Sequence, residues 1–362
     1  MTSFKSDTIT YKAYAYQNGN YPIEIVDETI KLVKGPGPSD EFVAPPGKIL
    51  LKINYAALNP VDYKLYHMKP SFLRFYNNKQ GFGRDFSGEV LSIGANTSTQ
   101  VKVGDFVEGI YTPVLDKGSC AQYLLLDPKV SPITTKPSNI DLVQASAWPL
   151  VLGTAMQLSK GLQYKDSKVL VLGAGTSVGR YVVQLARIGG AREVVTTNSA
   201  RAESLIRELG ATEQIDYRKH PNFLNPVLES VKTSGEFNYI IDCWGGAQLF
   251  PEIDNILVKG GEYRTIVGDT PGHGLGAVFG TIKSALRTIV SKLGLLDYLY
   301  QFAFLKNTDN WIDNARDLIE EGKVKIFVDH IYPFEQLKEA VERLVSGKAE
   351  GKVILEVAKP EN

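Results

Sequence analysis

The stretch KVLVLGAGTSVGR, residues 168–180, constrains the fold of this chain more than any other. An apolar run, Val169-Leu170-Val171-Leu172, enters a loop with glycines at 173, 175 and 179, and a helix-compatible segment follows. A helix that starts directly after a strand offers unpaired N–H groups and the positive end of its dipole, which suits a pyrophosphate. Glycines let the backbone turn tightly and approach a ligand. The usual fingerprint, G-x-G-x-x-G, wants its third glycine at 178, but Val178 stands there and Thr176 and Ser177 fill the middle. We read Gly173, Gly175, Thr176, Ser177, Val178 and Gly179 as a dinucleotide-binding turn, with the two hydroxyls as added donors to a phosphate oxygen.

The surrounding pattern supports this. Strand-like runs at 169–172, 193–197, 213–217, 238–244 and 262–268 alternate with helical spacing at about 177–188, 200–209, 221–233 and 247–257. That alternation predicts right-handed βαβ units and a doubly wound parallel sheet. A helical pattern over 142–162 precedes it. Residues 1 to about 145 differ: β-branched residues, Tyr, Gly and Pro form short strand-like runs such as KILLKINYAALN, FSGEVLSIG and AQYLLLD. They predict a mainly β, barrel-like domain, with a turn-rich loop at 34–48. After 307, a helix, the strands IFVDHIYPF and GKVILEV, and a helix between them are expected to return to that domain. The expected division is 1–145 with 308–362, and 146–307.

The end of the second strand bears on the cofactor. An NAD site usually places Asp or Glu there, to accept from the ribose 2′-OH. Here the strand runs into NSARAES, with no acid before Glu203. Ser199 and Arg201 suit a 2′-phosphate, Arg through a charge-assisted fork. The alternative is a solvated helix start with a serine cap. The missing acid tips the expectation to NADP(H).

Composition excludes several classes. Lys plus Arg and Asp plus Glu number 40 each, so no basic field supports nucleic-acid binding. The two cysteines, Cys120 and Cys243, form no disulfide framework and no Cys-x-x-Cys pattern, which fits a reducing compartment such as the cytoplasm. The N-terminal stretch has neither signal nor transit character, and no run of about 18 apolar residues predicts a spanning helix.

AALNPVDYKLY (56–66), GFGRDFSGEV (81–90), VKVGDFVEG (101–109), GSCAQYLLL (118–126), AWPLVLGTAMQLS (147–159) and the glycine loop occur in an order that resembles the medium-chain dehydrogenase/reductase superfamily, in its zinc-free quinone oxidoreductase branch. The likeness extends to a fungal group whose yeast members are associated with lipid droplets and mitochondria. It implies a GroES-like, mainly β catalytic domain and a Rossmann domain. Zinc-bearing members have Cys near the position of Asn59 and Gly-His-Glu where this chain has Gly83-Arg84-Asp85, so no metal is expected. The four histidines, 67, 220, 273 and 330, are scattered.

The resemblance implies that Asn59, Asp62, Tyr63 and Lys64 lie beside the nicotinamide, with Lys64 polarising a substrate carbonyl. The competing reading makes Asn59-Pro60 a turn and Asp62/Lys64 a surface ion pair. Thr154 would contact the nicotinamide side, Ser177 and Val178 the pyrophosphate, and Tyr217 the adenosine phosphate. Cys243, Trp244 and Gly245 end the fourth strand, where ligands meet such sheets. Val267 and Gly268 would pass the nicotinamide ring. Cys243 reads as inert packing rather than a catalytic thiol.

The expected activity is NADPH-dependent hydride transfer to a quinone or α,β-unsaturated carbonyl. An enoyl-thioester reductase, or a lipid-droplet-associated nucleotide-binding protein with little turnover, are the alternatives. Residues 277–296 stand apart. Val278, Ile282, Ala285, Ile289 and Leu293 share a helical face, flanked by Phe279, Leu286 and Val290, with Lys283, Arg287 and Lys292 supplying positive charge. Such a helix can lie on an anionic membrane or droplet surface; the alternatives are a helix over a pocket or the seam of a homodimer. Monomer and homodimer both remain open.

Overall fold

The computed structural model describes residues 4–17, 19, 21–36, 41–68, 79–114, 116–269, 275–308 and 310–358, the side chains at 275–279 and 281 excepted. The apolar run opening the glycine loop forms the strand Lys168–Leu172, buried at every position. It lies third in a six-stranded sheet ordered Glu213–Asp216, Glu193–Asn198, Lys168–Leu172, Phe237–Asp242, Leu257–Thr265, Leu299–Phe302. All five pairings are parallel. Burial on both faces explains the uninterrupted apolar strands. Lys168 itself is buried because its ammonium donates to the carbonyls of Ser230 and Gly235 and to the Ser234 hydroxyl. In chain order the sheet reads 3-2-1-4-5-6, so the strand order reverses at Lys168–Leu172. A reversal of this kind opens a crevice beyond the carboxyl ends of the flanking strands.

The chain divides into two units, Met1–Leu150 with Asn307–Asn362, and Val151–Lys306. The parallel sheet belongs to the second. The first is mainly β. Its larger sheet runs Ile133–Thr135, Phe106–Ile110, Asp85–Ile93, Ile49–Ala57, Lys352–Glu356, Val328–Pro333, with Tyr123–Leu126 also paired to Ile49–Ala57. The alternation along Ile49–Ala57 sends Ile49, Leu51 and Ile53 into one core and Leu50 into another. The returning C-terminal strand Lys352–Glu356 pairs directly with Tyr55–Ala57.

Several expected elements differ. The pattern at 247–257 yields only a 3₁₀ stretch, Phe250–Asn255, with Pro251 at its start and a non-helical Glu252. Gly245 and Gly246, both at positive φ, carry the chain away from the strand without a helix. The 142–162 pattern splits into Leu142–Ser146 and Pro149–Ser159, because a proline disfavours helix in the residue before it. The helix expected from 221 begins at Leu224. In the loop at 34–48, Val33–Lys34 pairs with Phe42–Val43, and 37–40 fall outside the described residues.

Residues Leu275–Lys292 form one helix. Its polarity is inverted relative to an ordinary surface helix. Ser284 and Ser291 are buried, whereas Ile282, Leu286, Ile289 and Leu293 are each about half exposed or more. Arg287 is not a free surface charge as the sequence pattern implied. It makes two bonds to the Asp269 carboxylate, at 2.7 and 2.9 Å, and lies 3.6 Å over the Phe250 ring. Val278 and Phe279 lie among the side chains outside the description. Among the described residues, no helix is long and apolar enough to cross a membrane.

Candidate functional site

The glycine loop divides its labour in a way the spacing hid. Gly173 sits at φ +73°, and a Cβ there would lie 2.9 Å from the Trp244 Cβ. A Cβ on Gly179 would lie 2.3 Å from the Gly173 carbonyl oxygen and 2.8 Å from the Ala174 Cα. Gly179 therefore does the close helix–strand packing that the third glycine of the usual fingerprint does, one residue late. Gly175 is different. The nearest atom to a Cβ there is Ala202 Cβ at 3.7 Å, so protein packing does not demand a glycine. A bare backbone facing open space suits close approach by a ligand.

Helix Ser177–Ile188 starts at the loop, and Thr176 is its N-cap, its hydroxyl oxygen accepting from the Gly179 amide at 3.0 Å. The Thr176 oxygen is thus engaged as a cap acceptor, and a hydroxyl that accepts one bond keeps its proton to donate to a phosphate. The Ser177 and Val178 amides, in the first turn, have no carbonyl within the helix to bond. They are donors placed for an anion at a helix N-terminus.

The neighbouring strand ends complete the crevice. Asp242 is fully buried at the end of Phe237–Asp242, and one carboxylate oxygen accepts from the amides of Trp244 and Gly245 at 2.9 and 2.7 Å. The other accepts from the hydroxyls of Tyr263 and Thr265. Burial raises its pKa, and the amide bonds from Gly245 and Trp244 oppose that. Asp242 thereby fixes the turn holding Cys243, Trp244 and Gly245. Cys243 is a buried free thiol whose pKa burial pushes well up, which suits packing. Trp244 is exposed and parallel to Tyr217, which is also exposed. Gly268, at φ +86°, abuts Ser284, and Val267 beside it is half-buried. Thr154 is half-buried on helix Pro149–Ser159.

At the second strand end, the position usually held by an acid is taken by Asn198, which is buried and donates to the Gln214 side chain and the Ser199 carbonyl. Ser199 is the N-cap of the short turn Ala200–Ala202 but makes no side-chain cap bond. Arg201 is exposed on that turn.

In the first unit, NPVDYK starts helix Pro60–Met68, with Pro60 at its first position. Asp62 does not pair with Lys64 on the surface. Its side chain is buried, one oxygen accepting from the Asn59 amide at 2.8 Å and the other 3.9 Å from Arg84 Nε. That second oxygen, Oδ1, has no hydrogen-bond partner. Burial raises the Asp62 pKa to about 7, against the attraction of Arg84. Asn59 is fully buried and fully used. Its Oδ1 accepts from Lys352 at 2.5 Å, and its Nδ2 donates to Asp85 Oδ2 at 2.9 Å and to the Ala57 carbonyl. Lys352 also donates to Asp85 Oδ2, and Asp85 Oδ1 accepts the Leu150 amide. Tyr63 and Lys64 are half-buried on the same helix, Tyr63 edge-on to His67.

Sequence reading missed Asp85, Lys352, Arg84 and Asp242 as site-building residues. Lys352 is 293 positions from Asn59, so only the strand pairing joins them. The one available signal was a charge at the end of an otherwise apolar strand, Asp242 in NYIID and Lys352 in KVIL.

These positions do not suit zinc, whose structural and catalytic sites need a converging set of Cys, His or carboxylate donors. Asn59 is spent on Lys352 and Asp85, Arg84 is a cation, and Asp85 is paired with an ammonium. Among the described residues, no group of three or more His, Cys, Asp or Glu could hold a metal ion. A dinucleotide does fit the second unit, through Gly175 and the Ser177 and Val178 amides.

Known proteins resemble this chain over nearly its whole length. Residues 45–131 match the family model for the alcohol dehydrogenase GroES-like domain, and 209–355 that for zinc-binding dehydrogenase. Protein YIM1 of Vanderwaltozyma polyspora is 30% identical over 381 residues, covering 96% of this chain and 99% of that protein. Protein YIM1 of Saccharomyces cerevisiae strain YJM789 is 30% identical over 373 residues, covering 97% and 99%. Among solved structures, the quinone oxidoreductase from Coxiella burnetii superposes with a TM-score of 0.75 at 24% identity, covering 97% of this chain and all of that one. At that identity the likeness speaks for the fold.

Proposed function

The chain belongs to the medium-chain dehydrogenase/reductase superfamily, to a zinc-free type, and from that premise we propose an NADPH-dependent reductase that transfers hydride to a quinone or an α,β-unsaturated carbonyl. The observation that carries the reading is the closed Asn59–Asp85–Lys352 network. It occupies the positions where zinc-bearing members place their ligands, and it leaves no converging donor set for a Lewis acid. A conjugated acceptor needs less help than a simple alcohol or ketone, because its developing charge spreads onto a carbonyl oxygen.

When bound, the nicotinamide supplies the hydride. The protein's part is to bind, orient and stabilise charge. The Ser177 and Val178 amides would take the pyrophosphate, with Gly175 allowing close approach. Ser199 and Arg201 would hold the 2′-phosphate, since Asn198 stands where a ribose-binding acid is absent. Lys64 would donate to the acceptor's carbonyl oxygen, and a solvent proton would complete the product.

Titration with NADPH and NADH, followed by oxidation rates across quinones, enones and enoyl thioesters, tests the proposal. NADPH preference with turnover on quinones or enones supports it, and preference for NADH removes the 2′-phosphate argument. Turnover confined to thioesters selects an enoyl-thioester reductase. Tight NADPH binding without any turnover selects a nucleotide-binding protein.

A second property rests on helix Leu275–Lys292. Its exposed Ile282, Leu286 and Ile289, continued by Leu293, with exposed Lys283 and Lys292, combine the apolar and cationic side chains that suit an anionic lipid surface. We infer a cytoplasmic protein that touches lipid droplets or the mitochondrial surface through this face. Flotation with anionic liposomes should be lost in a Leu286→Glu/Ile289→Glu variant. A salt-resistant homodimer broken by the same changes would show that a second copy covers the face instead.

A further inference from the structure

We propose that Trp244 and Tyr217 form an aromatic clamp that takes the base of the cofactor between or against their faces. The inference rests on the dinucleotide reading and adds the pair that would recognise the base.

Trp244 is 57% exposed and Tyr217 41% exposed, large fractions for side chains that ordinarily bury their rings. The rings are nearly parallel, 16° apart, with centroids 6.4 Å from each other. That spacing is near the upper end for aromatic pairs. The exposure shows that each ring leaves much of its surface to solvent. Two nearly parallel, solvent-exposed rings at a strand-end crevice are a stacking platform for a planar heteroaromatic ring.

The backbone holds both rings in place. Asp242 accepts the Trp244 amide, and the Trp244 main chain packs on Gly173, whose missing Cβ would otherwise lie 2.9 Å from the Trp244 Cβ. Gly245, at φ +94°, has no room for a side chain beside Val267. The Tyr217 amide donates to the carbonyl of Asn198, the last residue of the second strand, at 3.3 Å. The clamp thus spans the ends of the second, third and fourth strands of the sheet in chain order, with Tyr217 tied to the residue that precedes Ser199. Core burial does not account for a large apolar side chain at Trp244, since most of it is exposed. Stacking reads the face of a base and not its hydrogen-bonding edge. The clamp should therefore accept hypoxanthine in place of adenine.

Calorimetric titration of the full chain with NADPH, with its hypoxanthine analogue, and with reduced nicotinamide mononucleotide, which lacks the base, tests this. In Trp244→Ala and Tyr217→Ala, affinity for both dinucleotides should fall roughly 10- to 100-fold, while Trp244→Phe retains most of it. Binding of the mononucleotide should be unchanged in all variants. Thermal melts verify folding, which exposed positions should preserve. Alanine variants that bind NADPH like the wild type, or that lose the mononucleotide equally, would overturn the clamp. Loss confined to one of the two alanine variants would overturn the pair and leave a single stacking face. A wild type that binds no dinucleotide would remove the underlying reading as well, and so is told apart from failure of the clamp alone.

Discussion

Asp62 offers the most quantitative test of the first unit. Its side chain is buried, with Oδ1 unpartnered and Arg84 Nε 3.9 Å away. Burial raises its pKa from 3.8 to about 7, Arg84 notwithstanding. A folded-state pKa above the unfolded one means that the native protein holds the proton more tightly. The associated stability is fully present below pH 3.8 and is lost as pH rises through about 7. Three pKa units at about 1.4 kcal/mol each amount to about 4 kcal/mol over the whole window. About 2.5 kcal/mol of this falls between pH 5 and 8. Asp62→Asn is neutral at every pH and removes this titration. Urea unfolding at pH 5, 6, 7 and 8 should show the wild type losing stability across the range. The Asp62→Asn variant should lose about 2.5 kcal/mol less. An unchanged slope in the variant would refute the assignment of a neutral, buried carboxyl at this position.

Three further outcomes follow from the geometry. Gly179→Ala forces a Cβ to 2.3 Å from a backbone oxygen and should cost about 1–3 kcal/mol in a melt, whereas Gly175→Ala, in open space, should leave stability intact and weaken NADPH binding. Lys352→Met leaves the Asp85 carboxylate buried without its ammonium and should cost about 3–5 kcal/mol, part of which Asp85→Asn restores in the double variant. Arg201→Ala should weaken NADPH binding roughly 10- to 100-fold and leave NADH binding unchanged; equal loss of both would place the 2′-phosphate elsewhere.

The legible part of this protein was local. Period and turn chemistry located the parallel strands, the loop and the β-rich first half, because those signals lie within a few residues of one another. They also misjudged 247–257, where two positive-φ glycines and Pro251 override helical spacing. Thr176 illustrates a finer limit. Its residue type was compatible with a phosphate donor and with a helix cap; the 3.0 Å bond from the Gly179 amide shows the cap, a role that leaves the hydroxyl its proton to donate.

By itself the sequence determined that a dinucleotide turn joins strand to helix, that no acid follows the second strand, and that the usual zinc ligands are replaced. Those are statements about residue identity at short range. The tertiary structure decided what the replacements do. Asn59, Asp85 and Lys352 meet through antiparallel pairing of strands about 300 residues apart, and once buried together each must satisfy the others' charge and hydrogen bonds. It also decided that Gly179 packs while Gly175 stays open, that Arg287 is spent on Asp269, and that Tyr217 and Trp244 face each other. Contacts between residues far apart along the chain carry no local signature, because burial and partner geometry exist only after the sheet has formed.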